Sequence, residues 1–376
     1  MKIGMIGQKG IPSRAGGVEI HVEEIASRLV NSGNDVTVYC RKSYCDEIKD
    51  KHKGIKLKYI PSLNTKHLDA ITYTFLASID AVFQDYDVVH YHALGPSLLS
   101  FIPRMFGKKV ICTVHGLDWK REKWGKMGKL ALKLGEFATA KFPHKTISVS
   151  ESLNRYYNET YNNETSYIPN GVDDKKVVEA KEIKEKYFLE KDNYILFLAR
   201  LVPEKGAHYL IEAYNQLDTD KKLVIAGGSS HTDDYVKKLK LMTKDNPNII
   251  MTGFVSGRIL DELFSNAYLY VLPSEIEGLP ISLLEAMSYG QCCLVSDIEE
   301  NIDVIKEFGY SFKNKDVSSL KNMLQDLLNN PEKVELVRNT VKDYVQGEYN
   351  WDIVANKTEQ AYESLYKQNN VATTNV

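Results

Sequence analysis

The chain has 376 residues, 43% of them hydrophobic and 26% charged, with a formal net charge of −2. That balance fits an ordinary globular protein of two domains of about 150–200 residues each, and it excludes a low-complexity chain or a bundle of membrane spans, because no window approaches about 18 apolar residues. The charge is uneven: the first 170 residues carry +7 and the remainder −9, so the first half is expected to meet something anionic.

The opening "MKIGMIGQKG" reads as a short strand without a signal-peptide core. The cysteines are Cys40, Cys45, Cys112, Cys292 and Cys293. Their odd number, with no C-x-x-C, predicts a reducing cytoplasm rather than a disulfide framework or a zinc site. After the first strand comes "QKGIPSRAGG". Then "VEIHVEEIASRLVNSG" places Ile20, Ile25 and Leu29 near helical spacing and stops on Gly33. A helix N-terminus offers unpaired N–H groups and a partial positive charge, and glycine lets an anion come close. Gly16-Gly17 is therefore a candidate phosphate cradle or a plain strand-to-helix loop. The spacing is neither G-x-G-x-x-G nor a P-loop.

"DVTVYC", "KLKYIP", "YDVVHYHA", "KVICTVHG" and "KTISVS" follow as strands, each beside a candidate helix or turn. Such alternation predicts parallel pairing with crossover helices. His90 and His92 share one face of their strand. A metal would need further ligands, which the sequence does not name, so structural or cleft-lining roles are expected and no metal is assigned. "WKREKWGKMGKLALKLGEFATAKFPHK" (119–145) carries eight Lys or Arg against two Glu. Trp119, Trp124, Met127, Leu130, Leu134 and Phe137 lie near helical spacing in it. The basic residues Lys120, Arg121, Lys123, Lys126, Lys129 and Lys133, with Trp119 and Trp124, form a candidate patch for an anionic membrane or an acceptor. No nucleic-acid recognition motif accompanies the charge.

"YIPNGVD" interrupts the rhythm and marks a domain boundary. The expected domains are 1–172, 173–348, and a C-terminal segment 349–376 whose helix returns to the first. The second half repeats the pattern with "YILFLAR", "KLVIAGG", "NIIMTG", "AYLYVLP" and "CCLVSD". The predicted architecture is α/β, two doubly wound Rossmann-like domains facing across a cleft, with ligand groups beyond the carboxyl ends of the strands. In "LARLVPEKGAHYLI", Arg200 and Lys205 straddle a strand-to-helix turn and could converge on a diphosphate. In "SEIEGLPISLLEAMSYG", Glu277 precedes a helix and Glu285 lies within it. Eight helical steps would separate them by roughly 12 Å. That is too far for two carboxylates flanking one scissile bond, which need about 5–9.5 Å. Gripping different hydroxyls suits them better.

Together "GGVE", "ARLVPEKG" and "EGLPISLLE" resemble the signatures of retaining, nucleotide-sugar-dependent glycosyltransferases of the GT-B fold, the large group-four family. The last is similar to that family's E-x7-E motif. "GIPSRAGGVE" resembles the bacterial rhamnosyl- and galactosyl-type subgroup that builds surface polysaccharides. The resemblance spans about residues 1–365 and implies the following roles. Amides of Gly16 and Gly17 contact the donor diphosphate, and Arg200 and Lys205 neutralise the leaving nucleoside diphosphate. Glu277 binds donor-sugar hydroxyls beside Gly278 and Leu279, and Glu285 accepts from the ribose. Backbone groups near Phe254 and Val255 hold the base, and His115 lies against the sugar. Retention by front-face attack, with the diphosphate taking the acceptor proton, requires no side-chain nucleophile. Cations and helix N-termini could replace a metal, so no cofactor beyond the donor is expected. The partners implied are a nucleotide sugar, a glycan or lipid-linked acceptor and an anionic membrane surface. Ala199, "AGGSS" (226–230), Ala15 and Val18 depart from the usual pattern, so no particular sugar is carried over. An epimerase-like nucleotide-sugar enzyme and a non-catalytic sugar-nucleotide binder are the alternatives.

Overall fold

The computed structural model describes residues 1–372 apart from 13–15, 46, 64–68, 122–123 and 231, with side chains described as far as Tyr366. The chain divides into two compact units, Met1–Gly171 with Trp351–Val376, and Val172–Asn350.

The first unit holds β1 (Lys2–Ile6), β2 (Asp35–Arg41), β3 (Lys51–His52), β4 (Ile55–Ile60), β5 (Val88–His92), β6 (Lys109–Val114), β7 (Lys145–Ser148) and β8 (Ser166–Tyr167). Their order in the sheet is β3-β4-β2-β1-β5-β6-β7-β8. Every pairing is parallel except β3 with β4. That exception follows from Lys53 and Gly54, both at positive φ, the geometry of a tight hairpin turn. Helices cover both faces, so the central strands are apolar on both sides. On one face Val22, Ile25 and Leu29 of the Gly17–Asn31 helix pack with Ile3, Met5 and Val38. On the other, Tyr73 and Ala77 of the Asp69–Phe83 helix pack with Tyr39, Tyr91 and Val110. The C-terminal Trp351–Ala372 helix rejoins the first core through Trp351, Val354, Tyr362 and Leu365. A Cβ on Gly171 would meet the Trp351 ring at 2.5 Å, so the chain leaves this unit directly against the residue on which it re-enters.

The second unit holds β9 (Tyr194–Leu198), β10 (Lys222–Ala226), β11 (Ile249–Gly253), β12 (Leu269–Leu272), β13 (Cys293–Ser296) and β14 (Tyr310–Phe312) in the order β11-β10-β9-β12-β13-β14, all parallel. This is the doubly wound order of a Rossmann-like sheet, and the chain reverses its direction of growth between β9 and β12. In the first unit the reversal falls between β1 and β5. The loops that leave the carboxyl ends of β1, β9 and β12 hold Gly16, Arg200, Lys205, Glu277, Gly278 and Leu279.

Candidate functional site

In the second unit, β9 ends at Leu198 and the chain passes Ala199 and Arg200 into a single turn, Pro203–Lys205, before the Ala207–Tyr214 helix. Gly206 takes φ +71°, and a Cβ there would lie 2.0 Å from the Pro273 carbonyl oxygen. Only glycine allows the turn after β9 to press so closely on the chain leaving β12. A backbone bond fixes the same approach: the Glu275 N–H donates to the Glu204 carbonyl at 2.9 Å. Tyr209 Oη donates to Glu275 Oε1 at 2.8 Å, and Lys315 Nζ pairs with Glu275 at 2.6 Å.

This stitching brings Lys205 and Glu277 into a direct ion pair, Nζ to Oε1, with both side chains largely shielded from water at 12% and 8% exposure. Two residues 72 positions apart in sequence thus meet at the switch point. Gly278, Leu279 and Pro280 follow as a buried turn into the Ile281–Ser288 helix. Glu285 sits on that helix. Burial pushes its carboxyl up to about 7, Lys175 opposes the shift, and Asp173 and Asp261 add to it.

On the other side of β9 the sheet continues past its strand ends. The Leu201 N–H donates to the Gly228 carbonyl at 2.9 Å, and the Gly227 N–H to Gly253 at 2.9 Å. A Cβ on Gly227, at φ +150°, would lie 1.8 Å from the Ala199 carbonyl oxygen. The second glycine of "AGGSS" would meet Phe254 Cβ at 3.5 Å. Half-buried Arg200 and exposed Phe254, with partly buried Val255, therefore stand on one platform of interlocked loops. All the second-unit candidates occupy the carboxyl edge. The two Asp-x-Asp triplets, Asp85–Asp87 and Asp218–Asp220, precede β5 and β10 and so lie at the opposite edge of their sheets.

In the first unit, Gly16 caps the Gly17–Asn31 helix at φ 129°. The Glu19 carboxylate folds back onto this loop: a Cβ on Gly16 would sit 2.1 Å from Oε2, and the Lys9 N–H donates to Oε1 at 3.1 Å. An acidic group of the chain itself thus already lies at this helix N-terminus, a feature the glycine pattern did not reveal.

His115, after β6, belongs to a cluster of four imidazoles. His92 Nδ1 and His115 Nε2 are 3.2 Å apart, within hydrogen-bonding distance. His21 Nδ1 donates to Asn170 Oδ1 at 2.9 Å. His90 bonds Tyr362 Oη and Thr113 Oγ1, both at 2.7 Å. Burial lowers His21 to about 4 and His90 to about 3, and holds His92 and His115 well below the usual range. At neutral pH all four are uncharged hydrogen-bonding rings. The sequence named no companions for His90 and His92; the fold supplies His21 and His115, with ligand atoms of His21, His92 and His115 all within 4.8 Å of one another. His90 is structural, with both ring nitrogens engaged.

The basic stretch differs from its sequence reading in its tryptophans. Trp119 is partly buried, its indole N–H donates to the buried Glu136 carboxylate, and Lys133 Nζ lies 4.6 Å from its ring centroid. Trp124 is also partly buried, with its ring against Gly128. The Trp119 N–H is thus satisfied inside the protein and needs no headgroup partner. Lys120, Lys126 and Lys133 are exposed, Lys129 is partly so, and Arg121 pairs with Asp118 at 3.3 Å. Lys123 lies outside the described residues.

Comparison with known proteins agrees with this arrangement. The profile "Glycosyl transferases group 1" matches residues 179–344, and "Glycosyltransferase Family 4" matches 15–176. The chain is a glycosyltransferase of the group 1 family. It is 29% identical over 320 residues to an Escherichia coli UDP-Gal:alpha-D-GlcNAc-diphosphoundecaprenol alpha-1,3-galactosyltransferase, covering 79% of this chain and 80% of that one. Among solved structures, sucrose-phosphate synthase from Thermosynechococcus elongatus superposes with a TM-score of 0.84 at 20% identity, covering 98% and 99% of the two chains. HepE from Anabaena, solved with UDP and glucose, gives 0.81 at 16%, covering 97% and 100%. The fold is GT-B.

Sequence reasoning about this glycosyltransferase missed Glu19, His21, Asn170, Glu275 and Tyr362. His21 was the most accessible of these: a polar residue one step from Ile20 and Val22, within the apolar stretch of an amphipathic helix, signals a buried partner.

Two predictions follow from the geometry. Lys205→Met should destabilise the ligand-free protein by about 3 kcal/mol, the low end for stranding one member of a buried pair. The double variant Lys205→Met/Glu277→Gln should recover most of that loss in urea unfolding; a double variant no more stable than the single would show that the pair is not closed. Second, the folded Glu285 carboxyl holds its proton to about 7 against an ordinary 4.5, so its ionisation costs stability increasingly as pH rises through that window. Glu285→Gln should raise the melting temperature at pH 8 more than at pH 5; equal shifts at both would refute the buried-acid account.

Proposed function

We propose that this protein is a retaining hexosyltransferase, taking a sugar from a nucleoside diphosphate donor to a lipid-linked or polysaccharide acceptor in cell-surface glycan synthesis. The observation that carries the reading is the Lys205–Glu277 pair at the switch point. One group suits a diphosphate, the other suits sugar hydroxyls, and adjoining loops hold both. In the free protein each satisfies the other. When donor binds, phosphate oxygens compete for Lys205 while hydroxyls donate to Glu277.

In this scheme Arg200 adds a bidentate donor to the diphosphate. The exposed ring of Phe254, with Val255, forms the wall against the base, and Glu285 accepts from the ribose. Gly278 and Leu279 shape the turn under the sugar. In the first unit, Gly16 and Gly17, beside which the Glu19 carboxylate lies, and His115, a neutral ring, remain candidate residues. The acceptor oxygen bonds to the anomeric carbon as the carbon–phosphate oxygen bond breaks, on the same face. The acceptor proton passes to the departing phosphate oxygen. Negative charge grows on the diphosphate, where preorganised cations are most effective. No step calls on a metal.

The lipid-linked acceptor is supported by the Escherichia coli relative, whose acceptor is diphosphoundecaprenol-linked. The positive charge of the first unit fits association with the inner, cytoplasmic face of the membrane. A screen of UDP-, GDP- and dTDP-sugars in the presence of a chelator should find one donor that stabilises the protein and is slowly hydrolysed. NMR of the product should show the donor's anomeric configuration kept. Lys205→Ala and Glu277→Ala should each lower kcat by roughly 10²–10³-fold, the scale for losing one preorganised charge-stabilising group. An inverted product, or near-normal turnover in either variant, would contradict the assignment.

A further inference from the structure

The exposed apolar surface of the first unit is wider than the basic helix that drew attention in the sequence. On the Lys126–Lys141 helix, Met127, Leu130, Leu134 and Phe137 are exposed, spaced three or four apart along one stripe. The Asp69–Phe83 helix behaves likewise. It turns Tyr73, Ala77 and Ala81 to the core, yet Ile71, Phe75, Leu76, Ile79 and Phe83 face outward, Phe83 at 81% exposure. A helix apolar on both faces is not a water-facing helix. Between these two lies the short Phe101–Met105 helix, packed against the Asp69–Phe83 helix and exposing Phe101, Met105 and Phe106. Ring contacts join the parts. Phe101 meets Phe142 at 5.7 Å between centroids, and Phe142 meets Phe137 at 6.5 Å. The three helices therefore present one continuous apolar band.

Its charge is mostly of one sign, the exception being exposed Asp85 just past Phe83, which pairs with Lys2 at 2.6 Å. Arg104, Lys108 and Lys109 border the middle of the band, and Lys126, Lys129 and Lys133 border one end. The acids of these helices are engaged elsewhere. Asp69 pairs with Arg41 at 2.7 Å and Asp80 with Lys58 at 2.6 Å, both on strands of the sheet. Glu136 is buried and takes bonds from Trp119, Tyr156 and Tyr161. Among the described residues of the three helices, none leaves an exposed carboxylate on the band.

We infer that this band, from the Asp69–Phe83 helix across Phe101–Phe106 to the Lys126–Lys141 helix, inserts its apolar side chains into one leaflet of an anionic lipid bilayer, with its lysines and arginine at the headgroups. An apolar strip rimmed by cations is the chemistry of an interfacial membrane element. A second copy of the chain would bring like charge against like. The inference deepens the proposed reading, on which it rests for the position of a lipid-linked acceptor. It changes the character of the contact: burial of apolar area makes part of the binding independent of salt, because screening weakens only the electrostatic share.

The test is vesicle flotation of the full chain with phosphatidylcholine alone and with phosphatidylcholine–phosphatidylglycerol. Binding is expected on the anionic vesicles, with a fraction surviving high salt. Phe83→Asp/Phe106→Asp and, separately, Met127→Asp/Leu134→Asp should each weaken partitioning by at least ~10-fold, equivalent to about 1.4 kcal/mol. Leu241→Asp/Leu336→Asp, at exposed positions of the second unit, should leave it unchanged, and circular dichroism should show all variants folded. Loss with the second pair alone would confine binding to the basic helix and overturn the band. Absence of vesicle binding, or sedimentation as a dimer that the aspartates dissociate, would overturn the lipid assignment. Transfer to a detergent-dispersed acceptor is read in parallel. If transfer persists while vesicles are not bound, only the membrane inference falls; if binding holds without transfer, only the catalytic reading does.

Discussion

The structure turns on holding a lysine and a glutamate together at a place where neither is fully solvated. Lys205 and Glu277 reach each other because β9 and β12 are neighbours although 70 residues separate them in the chain. The approach is then enforced locally by glycine at 206 and by the Glu275–Glu204 backbone bond. Taking both charges partly out of water is costly, and the cost is offset only while each has a partner. A ligand with an anion at one end and hydroxyls at the other can replace both partners at once. The same desolvation that makes the pair expensive raises the value of each charge toward such a ligand.

The first unit uses the opposite device. Its cluster of His21, His90, His92 and His115 is crowded and buried enough to remain neutral, so the four rings supply directed hydrogen bonds without net charge. Tyr362, from the last helix, holds His90, and Trp351 places its ring 5.8 Å from that of His21. The returning C-terminal segment therefore does more than close a core: it backs the cluster whose outer member is His115. Charge in this unit is carried instead on its surface, around the apolar band.

Much of this was legible before any coordinates. The long parallel strands are continuous apolar runs bounded by turn residues, so both Rossmann-like halves followed from rhythm alone. Arg200, Lys205 and Glu277 were readable because strand-end loops have a fixed place in such sheets. The strands β3, β8 and β14 were not, because two or three residues carry no periodicity; the Lys53–Gly54 turn was the one local sign of β3. The histidine cluster was illegible because His21, His92 and His115 come from three elements whose adjacency is set by sheet order. Trp119 was misplaced because spacing along a helix cannot tell an outward indole from one that caps a buried Glu136. The outer face of the Asp69–Phe83 helix was not singled out, because an apolar run looks alike whether it faces the core or the surface.

The central claim is an exchange of partners, and a structure of the protein with an intact nucleoside diphosphate sugar tests it most directly. The account predicts Lys205 Nζ drawn from Glu277 onto a phosphate oxygen, with Glu277 accepting from sugar hydroxyls. A donor bound elsewhere, with the Lys205–Glu277 pair still closed, would contradict it.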